Sequence, residues 1–269
     1  MIDAPYVSPV HVSRLSQGPR KVLAIHCTMA KASAWTGIAR ALEPVAGVTA
    51  FDLPSHGRSA DWAGPGDLVD AVAGIAAGLI SAPVDLLGHS FGGVAALWLT
   101  LTRPELVRSL TLIEPVLLAI ARGSPELADH DRIAAPIDRM AAEGDTAGAA
   151  AFFNTMWSDP QAPDWTDLPE AMRAGMTRAL PFLEASSPAL IKDSLGMLTR
   201  GRLEAVAQPV QILRGSETMP VIGVVNDALV SRLPQAENKI IIGAGHMLPI
   251  THAAQTATEI RAFFDQNPY

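Results

Sequence analysis

Short apolar runs alternate along the chain with longer stretches whose apolar residues recur every three or four positions. The short runs read as strands: KVLAIH (21–26), VTAFD (48–52), VDLLG (84–88), SLTLIE (109–114), VQILRG (210–215) and NKIIIG (238–243). Between the first four lie SAWTGIARALE (33–43), DLVDAVAGIAAGLI (67–80) and GVAALWLTLTRPE (93–105), each spaced as an amphipathic helix. Strand, helix, strand in repetition predicts an α/β fold, a mostly parallel sheet with helices on both faces. The stretch from 116 to 205 breaks the alternation, holding helical patterns and no convincing strand. It reads as an insertion, so that 1–115 and 206–269 form the core domain and 116–205 a separate helical layer.

One junction in this pattern carries chemistry. LLGHSFGG (86–93) ends a predicted strand and opens a predicted helix, and it presents Ser90 inside a G-x-S-x-G spacing. In that strand-turn-helix setting a sharp turn pushes the serine out of the sheet, with Gly88 and Gly92 leaving room for the strained backbone. The helix that follows aims its positive end at any oxyanion formed there. The competing reading, a simple turn serine, does not need this context.

Composition narrows the field. The 269 residues are 49% hydrophobic and 17% charged, enough to bury one large core. A net charge of −7 and the absence of a Lys/Arg cluster argue against nucleic acid as a partner. Cys27, the single cysteine, excludes an intrachain disulfide framework and reads as a small buried residue in a reducing compartment. The first residues lack a signal-peptide core, and the longest uncharged run, AVAGIAAGLI (71–80), is too short to span a bilayer. A cytoplasmic protein with no membrane partner is expected, while oligomeric state is not readable. No H-E-x-x-H, paired cysteines, phosphate-binding loop or strand-linked G-x-G-x-x-G is present, so a site without metal or cofactor is expected.

With these motifs in order, the chain resembles the α/β-hydrolase superfamily along nearly its whole length outside the insertion. DLPSHGRS (52–59) resembles the family's D-x-P-G-H-G-x-S loop, with Ser55 where glycine is usual. HCTMAKASAW (26–35) falls where the family places its H-G-x loop after the third strand, with Cys27 in place of glycine. GAGHMLP (243–249) follows the last predicted strand, where the family keeps its catalytic histidine. The resemblance implies that Ser90 is a nucleophile and His246 the base that takes and returns its proton. It implies oxyanion donors at the backbone N–H of Phe91 and, in preference to Cys27, of Thr28. His89 is expected to point away from the serine, His26 and His56 to belong to structural loops, and His11, His130 and His252 to be surface or helix-end residues.

The third member of the triad is less direct. Where most of the family carries an aspartate, in QILRGSETMPVIG (211–223), this sequence has Thr218. Glu114, at the end of SLTLIE, is the preferred acid because some α/β-hydrolases supply it from this neighbouring strand end. Glu217 is the alternative acid, and a dyad without an acid is the third possibility. The resemblance further makes 116–205 a helical cap inserted after the sixth strand. Its Met140, Met156, Met172, Met176 and Met197, with Phe152, Phe153, Trp157, Trp165 and Phe182, either line an apolar pocket or only hold the cap together. A serine in place of an aspartate nucleophile disfavours dehalogenase or epoxide hydrolase chemistry. The expected activity is cofactor-independent hydrolysis of a small to medium apolar ester, lactone or thioester through an acyl-serine, with a small-molecule acyl substrate as partner. Carbon–carbon bond hydrolysis, perhydrolysis and a non-catalytic ligand receptor stay open beside it.

Overall fold

A computed structural model of the protein describes residues 9–159 and 162–268. Its strands are β1 (Val12–Arg14), β2 (Arg20–Ile25), β3 (Ala46–Phe51), β4 (Val84–His89), β5 (Val107–Ile113), β6 (Val210–Gly215) and β7 (Ala236–Ile241). They form one sheet in the order β1-β3-β2-β4-β5-β6-β7, with β1 antiparallel to β3 and every other neighbouring pair parallel. The helices are α1 (Thr36–Leu42), α2 (Leu68–Gly78), α3 (Phe91–Thr102), α4 (Pro125–Ala142), α5 (Thr146–Trp157), α6 (Glu170–Arg178), α7 (Pro181–Lys192), α8 (Pro220–Arg232), α9 (Leu248–Thr251) and α10 (Ala253–Gln266). No helix among the described residues is long and apolar enough to cross a membrane.

The continuous apolar strands make sense because both faces of the sheet are covered. Successive side chains alternate between faces, so Leu23, Ile25 and Leu86 join the core under α2, α3 and α8. Val22, Ala24 and Leu87 join the second core, under α1 and α10. The chain reverses its direction of travel across the sheet between β2 and β4, and a ligand crevice forms at the carboxyl ends of strands at such a point.

All six predicted strands are present, with ends shifted by a few residues. β1 was not predicted, since three residues carry no readable alternation. α8 and α10 also lie outside the predicted set. Among the described residues, the stretch between β5 and β6 is helical, with no strand. It follows the fifth described strand, not the sixth, and the Cys27 loop likewise follows the second, not the third. Both ordinals are displaced by the same single strand, so the order of the parts is that of the expected fold.

At the amino ends of β2, β4 and β5 a charged cluster ties the sheet together. Asp85 is fully buried and accepts hydrogen bonds from Arg20 Nη2 (2.9 Å), Arg108 Nε (3.1 Å) and Ser109 Oγ (2.6 Å). Burial pushes its carboxyl up, but these donors outweigh burial and hold it below the usual carboxylate range. Asp85→Asn leaves the buried Arg20 guanidinium without its counter-charge. It is expected to lower stability by about 3–5 kcal/mol in urea unfolding.

Candidate active site

Ser90 sits between β4 and α3 with φ 55°, its N–H donating to Ile113 O at 2.8 Å. The turn closes only because its neighbours are glycines: a Cβ on Gly92 would lie 2.2 Å from Ile25 O, and one on Gly88 2.4 Å from Gly92 O. Ser90 faces a cavity of about 50 Å3 shared with His246, Cys27 and Thr28. No hydrogen bond joins Ser90 Oγ to His246 among the described residues, a looseness common in unliganded sites.

His246 follows β7 on a loop folded back against the end of β6. A Cβ on Gly215 would meet Ala244 O at 2.0 Å, so this approach is backbone to backbone. His246 Nδ1 lies 3.0 Å from Glu114 Oε2, which leaves Nε2 as the ring nitrogen available to the cavity. Glu114, fully buried at the end of β5 with φ 51°, also accepts from Gly215 N–H at 2.7 Å and from the Thr218 hydroxyl. Burial outweighs these donors and pushes the carboxyl up to about 8. Burial lowers the imidazole to about 3, so the His246 ring is neutral near pH 7.

The structure therefore brings Ser90, His246 and Glu114 together. It does not bring Glu217, which is exposed, accepts from Ser216 Oγ at 3.0 Å and donates its N–H to Ala244 O. Thr218, at the position of the expected aspartate, spends its hydroxyl on Glu114.

Two backbone N–H groups near Ser90 have no hydrogen-bond acceptor among the described residues. Phe91 N–H is the first of α3, in the turn that has no intrahelical acceptor. Thr28 lines the cavity, and its N–H has no partner among the described residues, whereas Met29 N–H is taken by His56 Nε2 at 2.9 Å. Cys27 is buried and its thiol is pushed up to about 12, which keeps it protonated.

The other histidines support this arrangement. His26 Nδ1–H donates to Cys27 O (2.7 Å) and its Nε2 accepts from Leu53 N–H (2.9 Å), while His56 Nδ1–H donates to Pro54 O (2.8 Å). Both rings thus brace the loops after β2 and β3, with Met29 (φ 64°) and Ser55 (φ 63°) inside those loops. His89 is buried and its Nε2 donates to His246 O at 2.9 Å. His130 departs from the surface or helix-end expectation: it is buried within α4 and packs on Trp157, whose indole centroid is 4.4 Å from the His246 ring. Its apolar setting comes from α5, which the local α4 sequence does not announce.

Of the aromatic and methionine residues in the insertion, Phe153, Trp157 and Met176 line the cavity. Met140, Met156, Phe152 and Trp165 pack in a side cluster, Phe182 and Met197 are buried in the main core, and Met172 is exposed. Sequence reasoning missed Asp159, buried beyond α5 and bonded to the His246 loop, because nothing near it in the chain indicates that contact.

The sequence profile of the alpha/beta hydrolase family matches residues 22–259. Lipase LipV of Mycobacterium tuberculosis is 29% identical over 270 residues, covering 94% of this chain and 97% of that protein. A pimeloyl-(acyl-carrier protein) methyl ester esterase of Nitrosomonas europaea is 24% identical over 240 residues, covering 89% and 93%. Carboxylesterase CesB of Bacillus subtilis shares the fold, with a TM-score of 0.72 over 97% of this chain and 89% of its own at 16% identity. The profile match runs from within β2 through β7, and the chain belongs to the alpha/beta hydrolase family.

Proposed function

We propose that the protein cleaves small to medium apolar carboxylic esters, lactones or thioesters through an acyl-Ser90 intermediate. Ester-bond hydrolysis is the activity named for the lipase and the esterase it resembles. One observation carries the finer reading: Ser90, on its strained turn, shares a cavity with a His246 whose other ring nitrogen is held by buried Glu114.

In this reading Ser90 Oγ attacks the carbonyl carbon as His246 Nε2 takes the hydroxyl proton. The carbonyl oxygen becomes the oxyanion and receives hydrogen bonds from Phe91 and Thr28 N–H, at the positive end of α3. Collapse breaks the bond to the leaving group, which departs with the proton from His246. Water then repeats the attack, releasing the acid and restoring Ser90. Glu114 fixes the imidazole tautomer and stabilises the transient imidazolium. The stretch 116–205 acts as the cap, closing the acyl side with Phe153, Trp157 and Met176.

A fluorophosphonate probe is expected to label one residue, Ser90, and to leave Ser90→Ala unmodified, with ester turnover lost in parallel. Wild-type protein that neither labels nor turns over esters would point to a non-catalytic receptor. The narrow cavity predicts a preference for short acyl chains. Met176→Ala is expected to move kcat/KM toward longer p-nitrophenyl esters by about tenfold, the scale of one or two methylenes in an apolar pocket.

A further inference from the structure

The run Trp157-Ser158-Asp159 at the end of α5 meets the His246 loop at its first and last residues. The Trp157 ring packs at a tilt against the His246 ring, Ser158 lines the cavity shared with Ser90, and Asp159 grips the backbone around the histidine. Asp159 Oδ1 accepts Met247 N–H at 3.3 Å, and Oδ2 accepts the Thr251 hydroxyl at 2.6 Å. On the near side of the histidine a Cβ on Gly245 would lie 2.3 Å from Asp159 Oδ1, so the loop is pressed against the carboxylate.

This carboxylate is unusual for a merely structural contact. Asp159 is 7% exposed, and among the described residues no Lys or Arg forms an ion pair with it. A buried charge held only by neutral donors costs stability. Its negative field falls on His246 and His89 and favours the protonated ring that forms when the serine loses its proton. From the opposite side, His89 holds His246 O, so the backbone at the histidine is gripped from the sheet and from the insertion together.

We propose that Asp159 is a positioning residue: its carboxylate, delivered by the helical insertion, pins loop 245–251 through Met247 N–H and the Thr251 hydroxyl and sets where the His246 imidazole meets Ser90. The proposal rests on the reading of His246 as the base. It makes the insertion a working part of the site, since displacing α5 releases the histidine loop.

In the full-length protein, Asp159→Ala is expected to lower kcat about 10- to 100-fold with KM within about threefold, the cost of a misplacement of about 1 Å. Asp159→Asn keeps an oxygen for Met247 N–H, presents an N–H to the Thr251 hydroxyl oxygen, which can accept it, and loses the charge. It is expected to recover kcat to within about fivefold of wild type. Thr251→Val removes one contact from the loop side, lowers kcat in the same direction, and adds little to Asp159→Ala. Amide exchange in 245–251 is expected to quicken in Asp159→Ala while the sheet stays protected.

Wild-type kcat in Asp159→Ala, a defect confined to KM, failure of Asp159→Asn to recover, or unchanged exchange in the loop would each overturn the latch. Ester turnover that survives Ser90→Ala brings down the serine reading instead, and exchange at 245–251 still decides whether Asp159 holds the loop.

Discussion

Glu114→Gln is expected to lower kcat/KM about ten-thousand-fold, and Glu217→Gln to stay within about twofold of wild type. In the proposed triad the Glu114 carboxyl, 3.0 Å from His246 Nδ1, accepts Nδ1–H, which leaves Nε2 unprotonated and able to accept the serine proton. A carboxamide turns one acceptor into a donor. Gly215 N–H engages one side of the group, so the amide nitrogen faces the imidazole and selects the tautomer with Nδ1 bare and Nε2 protonated. That tautomer cannot serve as the base, and such a change in a triad costs about 10^4 in rate. Glu217 is exposed and bonded to its neighbour Ser216, so neutralising it touches none of these groups. Steady-state kinetics on one soluble ester decides the matter. The opposite ranking would move the acid to Glu217.

Stability is expected to fall by about 5 kcal/mol between pH 7 and pH 5. His26, His56 and His89 are buried and neutral, and burial lowers His26 to about 4, His56 to about 3 and His89 well below its ordinary range. The unfolded chain takes up three protons below about pH 6.5 that the folded chain refuses, so stability is full above that pH. It is lost as pH falls from about 6.5 toward about 4, at up to about 1.4 kcal/mol per pH unit for each ring. His246 adds a fourth such proton, but Glu114 is shifted the other way by burial and opposes it, so that pair contributes little net slope. That loss is a third or more of the about 5–15 kcal/mol a domain has in hand. Urea unfolding at pH 7, 6 and 5 measures the slope. His56→Asn, which keeps an acceptor for Met29 N–H, is expected to remove about a third of it. A slope that does not change would show that His56 is already protonated in the folded protein.

What could be read from the sequence depended on how local each interaction is. Ser90 was legible because strand, turn and helix lie within LLGHSFGG, and Gly88 is needed for a contact with Gly92 in the same turn, although the close approach of Gly92 itself is to Ile25 on the neighbouring strand. His246 was legible from its place after the last strand. The partner of His246 was legible only as a choice among Glu114, Glu217 and no acid at all, because 132 residues separate His246 from Glu114 and sequence adjacency cannot encode their contact. Thr218 stood out as a missing aspartate, whereas in the fold it is a donor to Glu114. Asp159 gave no signal, since its partners lie 88 and 92 residues further on. His130 looked peripheral within its own helix and became buried through packing contributed by α5.

Four residues around the crevice, Met29, Ser55, Ser90 and Glu114, hold left-handed backbone although none is glycine. They follow β2, β3, β4 and β5 in turn, and each conformation costs about 1–3 kcal/mol. Together they consume about as much free energy as a whole domain retains. Glycine in place of Ser90 or Glu114 would relax its turn and, in the same step, take away a side chain that lines the cavity or meets the His246 ring. At these two places a gain in stability and a loss from the site are one substitution.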